Sequence, residues 1–183
     1  MARPDRKTAR LRFGRRSIPG AIYFVTFCTK DRRPVLSVPN VIASILGILR
    51  SMGTTQDIGL IAACVMPDHL HLLFALGPSL QVGQVVGKIK SLSRPRDGIP
   101  WRWQDEAFER QLRPDDAIED YAFYIFMNPY RAGLCPCHEI WPGWLCPKPE
   151  LLGFLAKLNP GHVVPKEWIG LSREIASKIV VRG

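Results

Sequence analysis

Apolar and polar positions along the chain follow two periods, one typical of strands and one typical of helices. Residues 21–29 are rich in β-branched and aromatic side chains, and residues 58–65 and 69–74 are short apolar runs. Each of these segments therefore predicts a strand. A tight turn at residues 66–68 separates the second segment from the third, which predicts an antiparallel hairpin.

Three helices are predicted from apolar residues at helical spacing. The first begins near Asn40, the second at Ser79, and the third after a cap at Asp115 or Asp116. We expect the third helix to end at the residue before Pro129, because proline disfavours the helical state of its predecessor. The three predicted core stripes are Val41, Ile42, Ile45, Leu46 and Leu49; Val82, Val85, Val86 and Ile89; and Ile118, Tyr121, Ala122 and Ile125.

A fourth short strand near residues 107–112 completes the order strand, helix, strand, strand, helix, strand. This order predicts an α+β fold, a ferredoxin-like βαββαβ antiparallel sheet with the third helix added C-terminally as a catalytic helix. Two helices would cover one face of the sheet and leave the other open for function. Strand alternation then places Leu70 and Leu72 under the helices, and His69 and His71 on the open face.

The chain divides into three predicted segments: a basic arm over residues 1–19, one domain over residues 20–134, and an irregular Pro-rich extension over residues 135–183. The formal net charge of +9 favours an anionic partner, either a nucleic acid or a membrane surface. No apolar run reaches the ~18 residues of a membrane span, and no signal-peptide core follows the basic start. We therefore expect a cytoplasmic protein with no membrane partner.

The extension carries a cluster of sulfur and imidazole side chains at Cys135, Cys137, His138 and Cys146. Such a cluster is compatible with a zinc site or with a loop of unpaired thiols. The spacing lacks the paired C-x2-C pattern of zinc ribbons, which favours the thiols.

The most informative short motif is His69-Leu70-His71, which puts two imidazoles on one face of a strand. Two neutral imidazoles at this spacing can bind one divalent cation through their ring nitrogens. Tyr124 and Asn128 are four residues apart on the third helix and share one helix face. The Asn128 carboxamide oxygen would then be a third ligand for Mg²⁺ or Mn²⁺, and Tyr124 a nucleophile toward phosphorus.

Five segments, in this order, resemble a known family: YFVTFCTKDRRPVL from Tyr23, VMPDHLHLLFAL from Val65, KIKSLSR from Lys88, WQDEAFERQLR from Trp103 and YIFMNPYRAGL from Tyr124. Over roughly residues 20–145 the chain resembles the single-tyrosine HUH transposases, and most of all the REP-associated tyrosine transposases. The family often has an Asp-His pair where this chain has Glu109-Arg110.

The resemblance implies a metal-dependent enzyme that cleaves and rejoins single-stranded DNA through a covalent phosphotyrosine intermediate, near short palindromic hairpins. It implies metal ligands at His69, His71 and Asn128, a nucleophile at Tyr124, and Mg²⁺ or Mn²⁺ as cofactor. Whether the chain acts as a monomer or as a homodimer stays open. Two further classes also stay open: a non-catalytic sheet-surface nucleic-acid module, and a replication-initiator or relaxase-type nickase.

Several side chains have two interpretations each. The predicted DNA contacts are Lys88, Lys90, Arg94 and Arg131. The alternative for the cations is a solvated helix face or helix end. Asp68 is a metal ligand, a partner of a histidine or a turn residue. Trp101 and Trp103 stack on unpaired bases or pack in the core. Tyr121 is predicted to lie in the core and Tyr130 in a loop.

Overall fold

The computed structural model describes residues 17–95, 100–161 and 163–181, so nearly all of the predicted basic arm lies outside the described residues. The strands in these ranges are β1 (Ile22–Cys28), β2 (Ile58–Val65), β3 (His69–Leu76), β4 (Phe108–Gln111) and β5 (Trp144–Leu145). The α-helices are α1 (Pro39–Thr54), α2 (Val82–Leu92), α3 (Ile118–Arg131) and α4 (Trp168–Val181).

The five strands form one antiparallel sheet in the order β4-β1-β3-β2-β5. The predicted α+β class and the β2–β3 hairpin are confirmed, and the first six elements follow the predicted order βαββαβ. In the central pair, Thr26 of β1 lies opposite His71 of β3, and Cys28 lies opposite His69. This register decides which β1 side chains neighbour the histidines.

One face of the sheet packs against α1 and α2, as the alternation of β3 predicts. Leu70, Leu72 and Phe74 point to this face and are fully buried. They share one core with the apolar stripes of the two helices, including Leu49 of α1 and Val85 of α2. The predicted sidedness of β3 is therefore confirmed for its apolar residues.

The opposite face is not open, which corrects the prediction. Phe24 and Leu73 of the sheet share a second core with Ile125 of α3 and with Ile175 and Ile179 of α4. The predicted irregular extension over residues 135–183 thus contains a short strand and a 14-residue helix. Apolar residues at helical spacing give α4 a buried side, which packs on α3, and α3 in turn lies on β2 and β3.

Two helix boundaries also differ from prediction. Helix α3 continues through Pro129 to Arg131 rather than ending before the proline, since a proline in the last turn removes only one backbone hydrogen bond. Helix α2 begins at Val82 rather than Ser79, because Gln81 caps it in a reciprocal pair with Gln84.

Ile118, predicted to belong to the buried stripe of α3, is 39% exposed. It is the first residue of the helix. Three other positions of that stripe, Tyr121, Ala122 and Ile125, are buried as predicted.

Candidate active site

The two imidazoles of the His69-Leu70-His71 motif converge on each other. Both side chains leave β3 on the face covered by α3, and the Nε2 atoms of His69 and His71 lie 3.0 Å apart. Their rings are nearly perpendicular, with centroids 4.6 Å apart. His71 is 5% exposed, whereas His69 is partly exposed. The pair therefore sits at the boundary between the second core and solvent.

Each imidazole is held from behind through its Nδ1 atom. The carboxylate Oδ1 of Asp68 lies 2.6 Å from Nδ1 of His69, and the hydroxyl of Thr26 lies 2.7 Å from Nδ1 of His71. Hydrogen bonds of this kind fix the ring orientation of metal-binding histidines. Of the three interpretations of Asp68, the structure supports the one in which it is the partner of a histidine. Thr26 was missed from the sequence, and the β1–β3 register is the signal that identifies it.

Both histidines favour the neutral form. Burial lowers the pKa of His69, and Arg32 lowers it further, although Asp68 raises it. Burial lowers the pKa of His71 well below its ordinary value, and the electrostatic interactions with His69 and Arg131 lower it further. Two neutral rings leave lone pairs available for a cation.

One assignment of protons satisfies the whole row of hydrogen bonds. Nδ1–H of His69 donates to Asp68, Nε2–H of His71 donates to Nε2 of His69, and the Thr26 hydroxyl donates to Nδ1 of His71. If His71 instead carries its proton on Nδ1, the Thr26 hydroxyl accepts it and both Nε2 lone pairs become free. Thr26 therefore supports either tautomer of His71.

Asp68 is itself tied to a neighbouring turn. Nη1 of Arg32 donates to Oδ2 of Asp68 over 3.2 Å, and the arginine side chain is 61% exposed. Although burial raises it, hydrogen bonds from His69 and Arg32 bring the pKa of Asp68 below its ordinary value. Asp31 and Arg32 both adopt positive φ, of 57° and 55°, which is uncommon for residues other than glycine. The sequence pattern did not indicate a role for Arg32.

Tyr124 lies beside the histidine pair, as the i, i+4 argument requires. Its ring is 5.5 Å from that of His71 and 5.9 Å from that of Phe24, with both contacts edge-to-face. The Arg131 guanidinium lies over the Tyr124 ring at 4.8 Å from its centroid. Tyr124 is half-buried, whereas Tyr121 and Tyr130 are buried. Tyr121 lies in the core as predicted, but Tyr130 belongs to α3 rather than to a loop.

Asn128 is hydrogen-bonded to Arg131, the residue that lies over the Tyr124 ring. Its Oδ1 accepts a hydrogen bond of 2.8 Å from Nη2 of Arg131, and its Nδ2 donates to the Tyr124 carbonyl. Nη1 of Arg131 donates to the carbonyl of Ser172 in α4. Arg131 thus links α3 to α4 beside Tyr124. The role of Asn128 as a metal ligand stays a prediction.

The two imidazoles suit a divalent cation. Two ligands at about 2.1 Å from one metal ion and at right angles to each other are about 3 Å apart. The separation of the Nε2 atoms of His69 and His71 is 3.0 Å. Among the described residues, no group of three or more His, Cys, Asp or Glu is placed to hold a metal. The remaining ligands would therefore come from an amide such as that of Asn128, from substrate or from water.

The predicted DNA-binding residues of α2 lie away from this site. Helix α2 packs on the opposite face of the sheet. Nζ of Lys88 pairs with Asp57 at 2.6 Å, while Nζ of Lys90 donates to the Gln104 carbonyl at 2.7 Å. Arg94 is exposed. A role of these cations in binding DNA stays a prediction, and the structure gives both lysines contacts within the protein.

Arg110 of the Glu109-Arg110 pair is held by contacts within the protein. Nη2 of Arg110 donates to both carboxylate oxygens of Asp116 at 3.2 and 3.1 Å, and both side chains are buried. The Arg110 guanidinium lies 5.8 Å from the Tyr121 ring centroid. Trp103 is likewise structural, since its ring packs on Phe27 and it is 6% exposed.

Comparison with known proteins finds similarity to transposases. Residues 17–96 match the family model described as Transposase IS200 like. A Haemophilus influenzae protein named as a candidate REP-associated tyrosine transposase is 23% identical over 141 residues, which are 67% of this chain and 78% of that protein. The chain is thus similar to the IS200-like transposases over residues 17–96. Its predicted resemblance to the REP-associated tyrosine transposases in particular is confirmed.

One solved structure shows a similar fold. A REP-associated tyrosine transposase bound to a REP hairpin aligns with a TM-score of 0.56 and 20% identity, over 68% of this chain and 75% of that one. A Deinococcus radiodurans protein described as a candidate transposase is 26% identical, with a TM-score of 0.43, over 56% of this chain and 87% of that one. In the described part of the chain, no helix is both long and apolar enough to cross a membrane.

Proposed function

We propose that the protein is a metal-dependent transposase that cleaves and rejoins single-stranded DNA through a covalent bond to Tyr124. The observation that carries the proposal is the meeting of three side chains. The Tyr124 ring packs against His71, and Nε2 of His71 lies 3.0 Å from Nε2 of His69. A nucleophile beside two convergent neutral imidazoles is the arrangement that phosphodiester chemistry needs.

Tyr124 supplies the nucleophilic oxygen. Its attack on phosphorus forms one P–O bond, breaks another, and releases a hydroxyl end of the DNA. The energy of the broken bond is kept in the phosphotyrosine, so a DNA hydroxyl can reverse the step and regenerate the phenol. The Arg131 guanidinium, 4.8 Å from the Tyr124 ring centroid, places positive charge beside the attacking residue.

His69, His71 and Asn128 would hold Mg²⁺ or Mn²⁺ in this proposal. Such an ion, when bound, polarises the scissile phosphate and offsets the charge that develops in the transition state. The protein contributes the orientation of the ligands. Asp68 and Thr26 fix the two rings, and burial keeps both of them neutral.

The proposed substrate is single-stranded DNA beside short palindromic hairpins. A net charge of +9 supports an anionic polymer as partner. The protein of similar fold was solved with a REP hairpin bound. We place the activity in the cytoplasm, where chromosomal DNA would be available to it.

Covalent adduct formation tests this function. The protein is incubated with Mn²⁺ and labelled single-stranded oligonucleotides that carry a hairpin, and adducts are separated on a denaturing gel. We expect an adduct that EDTA suppresses and that Tyr124→Phe abolishes. The matched control is Tyr121→Phe, one turn earlier on α3, which should retain the adduct. An adduct that persists in Tyr124→Phe would show that Tyr124 is not the nucleophile.

Two other classes give different results. A non-catalytic sheet-surface module would bind DNA without an adduct and without sensitivity to His69→Ala. It is disfavoured because α3 covers the face that would serve as the platform. A replication-initiator or relaxase-type nickase would form the same adduct, and the two are separated by whether cleaved ends are rejoined to a second DNA.

A further inference from the structure

A cleft lies between the turn that follows β1 and the segment that leads to β4. Its volume is about 280 Å³, and its lining is Lys30, Asp31, Arg33, Pro100, Trp101 and Arg102. Three of these side chains are cations, one is an anion and one is a large aromatic ring. Except for the half-buried Trp101, all are exposed.

The two walls of the cleft are fixed to each other. The backbone N–H of Lys30 donates to the Arg102 carbonyl at 2.7 Å, and Nη1 of Arg33 donates to the Pro100 carbonyl at 3.1 Å. The Trp101 ring packs edge-to-face on the buried Trp103, with centroids 5.2 Å apart. An aromatic ring held in this way can accept a stacked base with little loss of side-chain entropy.

The cleft is joined to the candidate active site by a short path. Thr29, which is fully buried, follows β1 directly and binds the Asp68 carbonyl through both its N–H, at 2.8 Å, and its hydroxyl, at 3.1 Å. Asp68 in turn holds His69. The turn that lines the cleft also includes Arg32, whose guanidinium donates a hydrogen bond to the Asp68 carboxylate. The cleft and the histidine pair are therefore linked through Asp68.

We propose that this cleft binds one nucleotide of single-stranded DNA outside the cleaved bond. The base stacks on Trp101, and Lys30 and Arg102 contact its phosphate. The proposal rests on the proposed function and deepens it by assigning a binding site for the substrate. The volume is slightly below the roughly 300 Å³ lower end of small-molecule sites, which suits a single nucleotide rather than a duplex.

Equilibrium binding of a hairpin oligonucleotide with single-stranded flanks tests the cleft. Fluorescence anisotropy is measured in EDTA, so that neither metal nor cleavage contributes. We expect Trp101→Ala to weaken binding at least about fivefold, with an unchanged salt dependence. Lys30→Ala should weaken binding and reduce the slope of log K against log salt by about 0.7. The matched control is Arg50→Ala on the exposed side of α1, which should leave both quantities unchanged.

Asp31 gives a test of opposite sign. Its carboxylate lines the cleft and would repel a phosphate, so Asp31→Asn should tighten binding. Asparagine tolerates the positive φ of 57° at this position, and the backbone should therefore be retained. Each variant is first shown to be folded by its thermal melting curve. Because Trp101 packs on Trp103, the surface variants at Lys30 and Asp31 decide the matter if Trp101→Ala does not fold.

The outcomes separate the cleft from the proposed function. If the Lys30 and Asp31 variants bind like the wild type, the cleft is not a DNA site, while the Tyr124 adduct assay still judges the chemistry. Absence of any DNA binding by the wild-type protein in EDTA would also contradict the proposal that the cleft binds DNA. Weaker binding by Lys30→Ala and tighter binding by Asp31→Asn, with Arg50→Ala unchanged, would establish it.

Discussion

Replacing Thr26 with valine removes one hydroxyl from the candidate site and little else. Valine has nearly the same shape and a high strand propensity, so β1 should keep its geometry. The hydroxyl lies 2.7 Å from Nδ1 of His71, whose side chain is buried. An unpaired buried polar group costs about 1–3 kcal/mol, so we expect the metal-free variant to lose this much free energy of unfolding.

The same change should weaken metal binding. Loss of a hydrogen bond behind a metal-bound histidine typically reduces metal affinity about 10- to 100-fold. We expect a loss in this range for Mn²⁺ bound to Thr26→Val, measured by isothermal titration calorimetry. Urea unfolding in EDTA measures the free energy of unfolding of the metal-free protein separately.

Two matched variants control this prediction. Thr26→Ser keeps the hydroxyl and should stay close to the wild type in both assays. Thr54→Val alters an exposed threonine of α1 that bonds only to its own helix, and it should not change Mn²⁺ affinity. Unchanged stability and unchanged Mn²⁺ affinity in Thr26→Val would refute the assigned role of the Thr26–His71 hydrogen bond.

Three further predictions concern the interactions around the site. Asp116→Ala should lower the free energy of unfolding by about 3–5 kcal/mol in urea titration, since it removes the carboxylate that pairs with the buried Arg110 guanidinium; a loss under 1 kcal/mol would contradict this. The Asp57 pKa is lowered by its hydrogen bond from Lys88, so the pair stabilises the fold above the ordinary carboxyl pKa and less as pH falls through the lowered value. Lys88→Met should therefore cost about 0.2–1 kcal/mol at pH 7 and less in acid; an equal cost at both would argue against the pair. Arg131→Lys keeps the charge but loses the planar fork, so we expect a lower melting temperature and slower adduct formation, with wild-type values as the contrary result.

The sequence predicted the elements whose pattern is local. The strands at 22–28, 58–65 and 69–76 follow from short apolar runs, and the sidedness of β3 follows from strand alternation. Tyr124 beside His71 follows from combining helix periodicity with the motif order. These conclusions need only the period of two in a strand and of 3.6 in a helix.

The remainder depends on contacts between distant parts of the chain. The packing of α4 on α3 could not be derived from a Pro-rich segment read alone, because the contact between the two helices is tertiary. Thr26 and Arg32 were missed for the same reason, since each acts through a partner more than 30 residues away. Ion pairing of Lys88 with Asp57 likewise requires the fold.

The residue that carries the covalently bound DNA can be identified directly. The covalent complex formed with a hairpin oligonucleotide and Mn²⁺ is digested with nuclease and trypsin, and the modified peptide is sequenced by mass spectrometry. We expect a nucleotide phosphate on Tyr124 and on no other tyrosine of α3. A modification at Tyr121 or Tyr130, or a complete digest with Tyr124 unmodified, would contradict it.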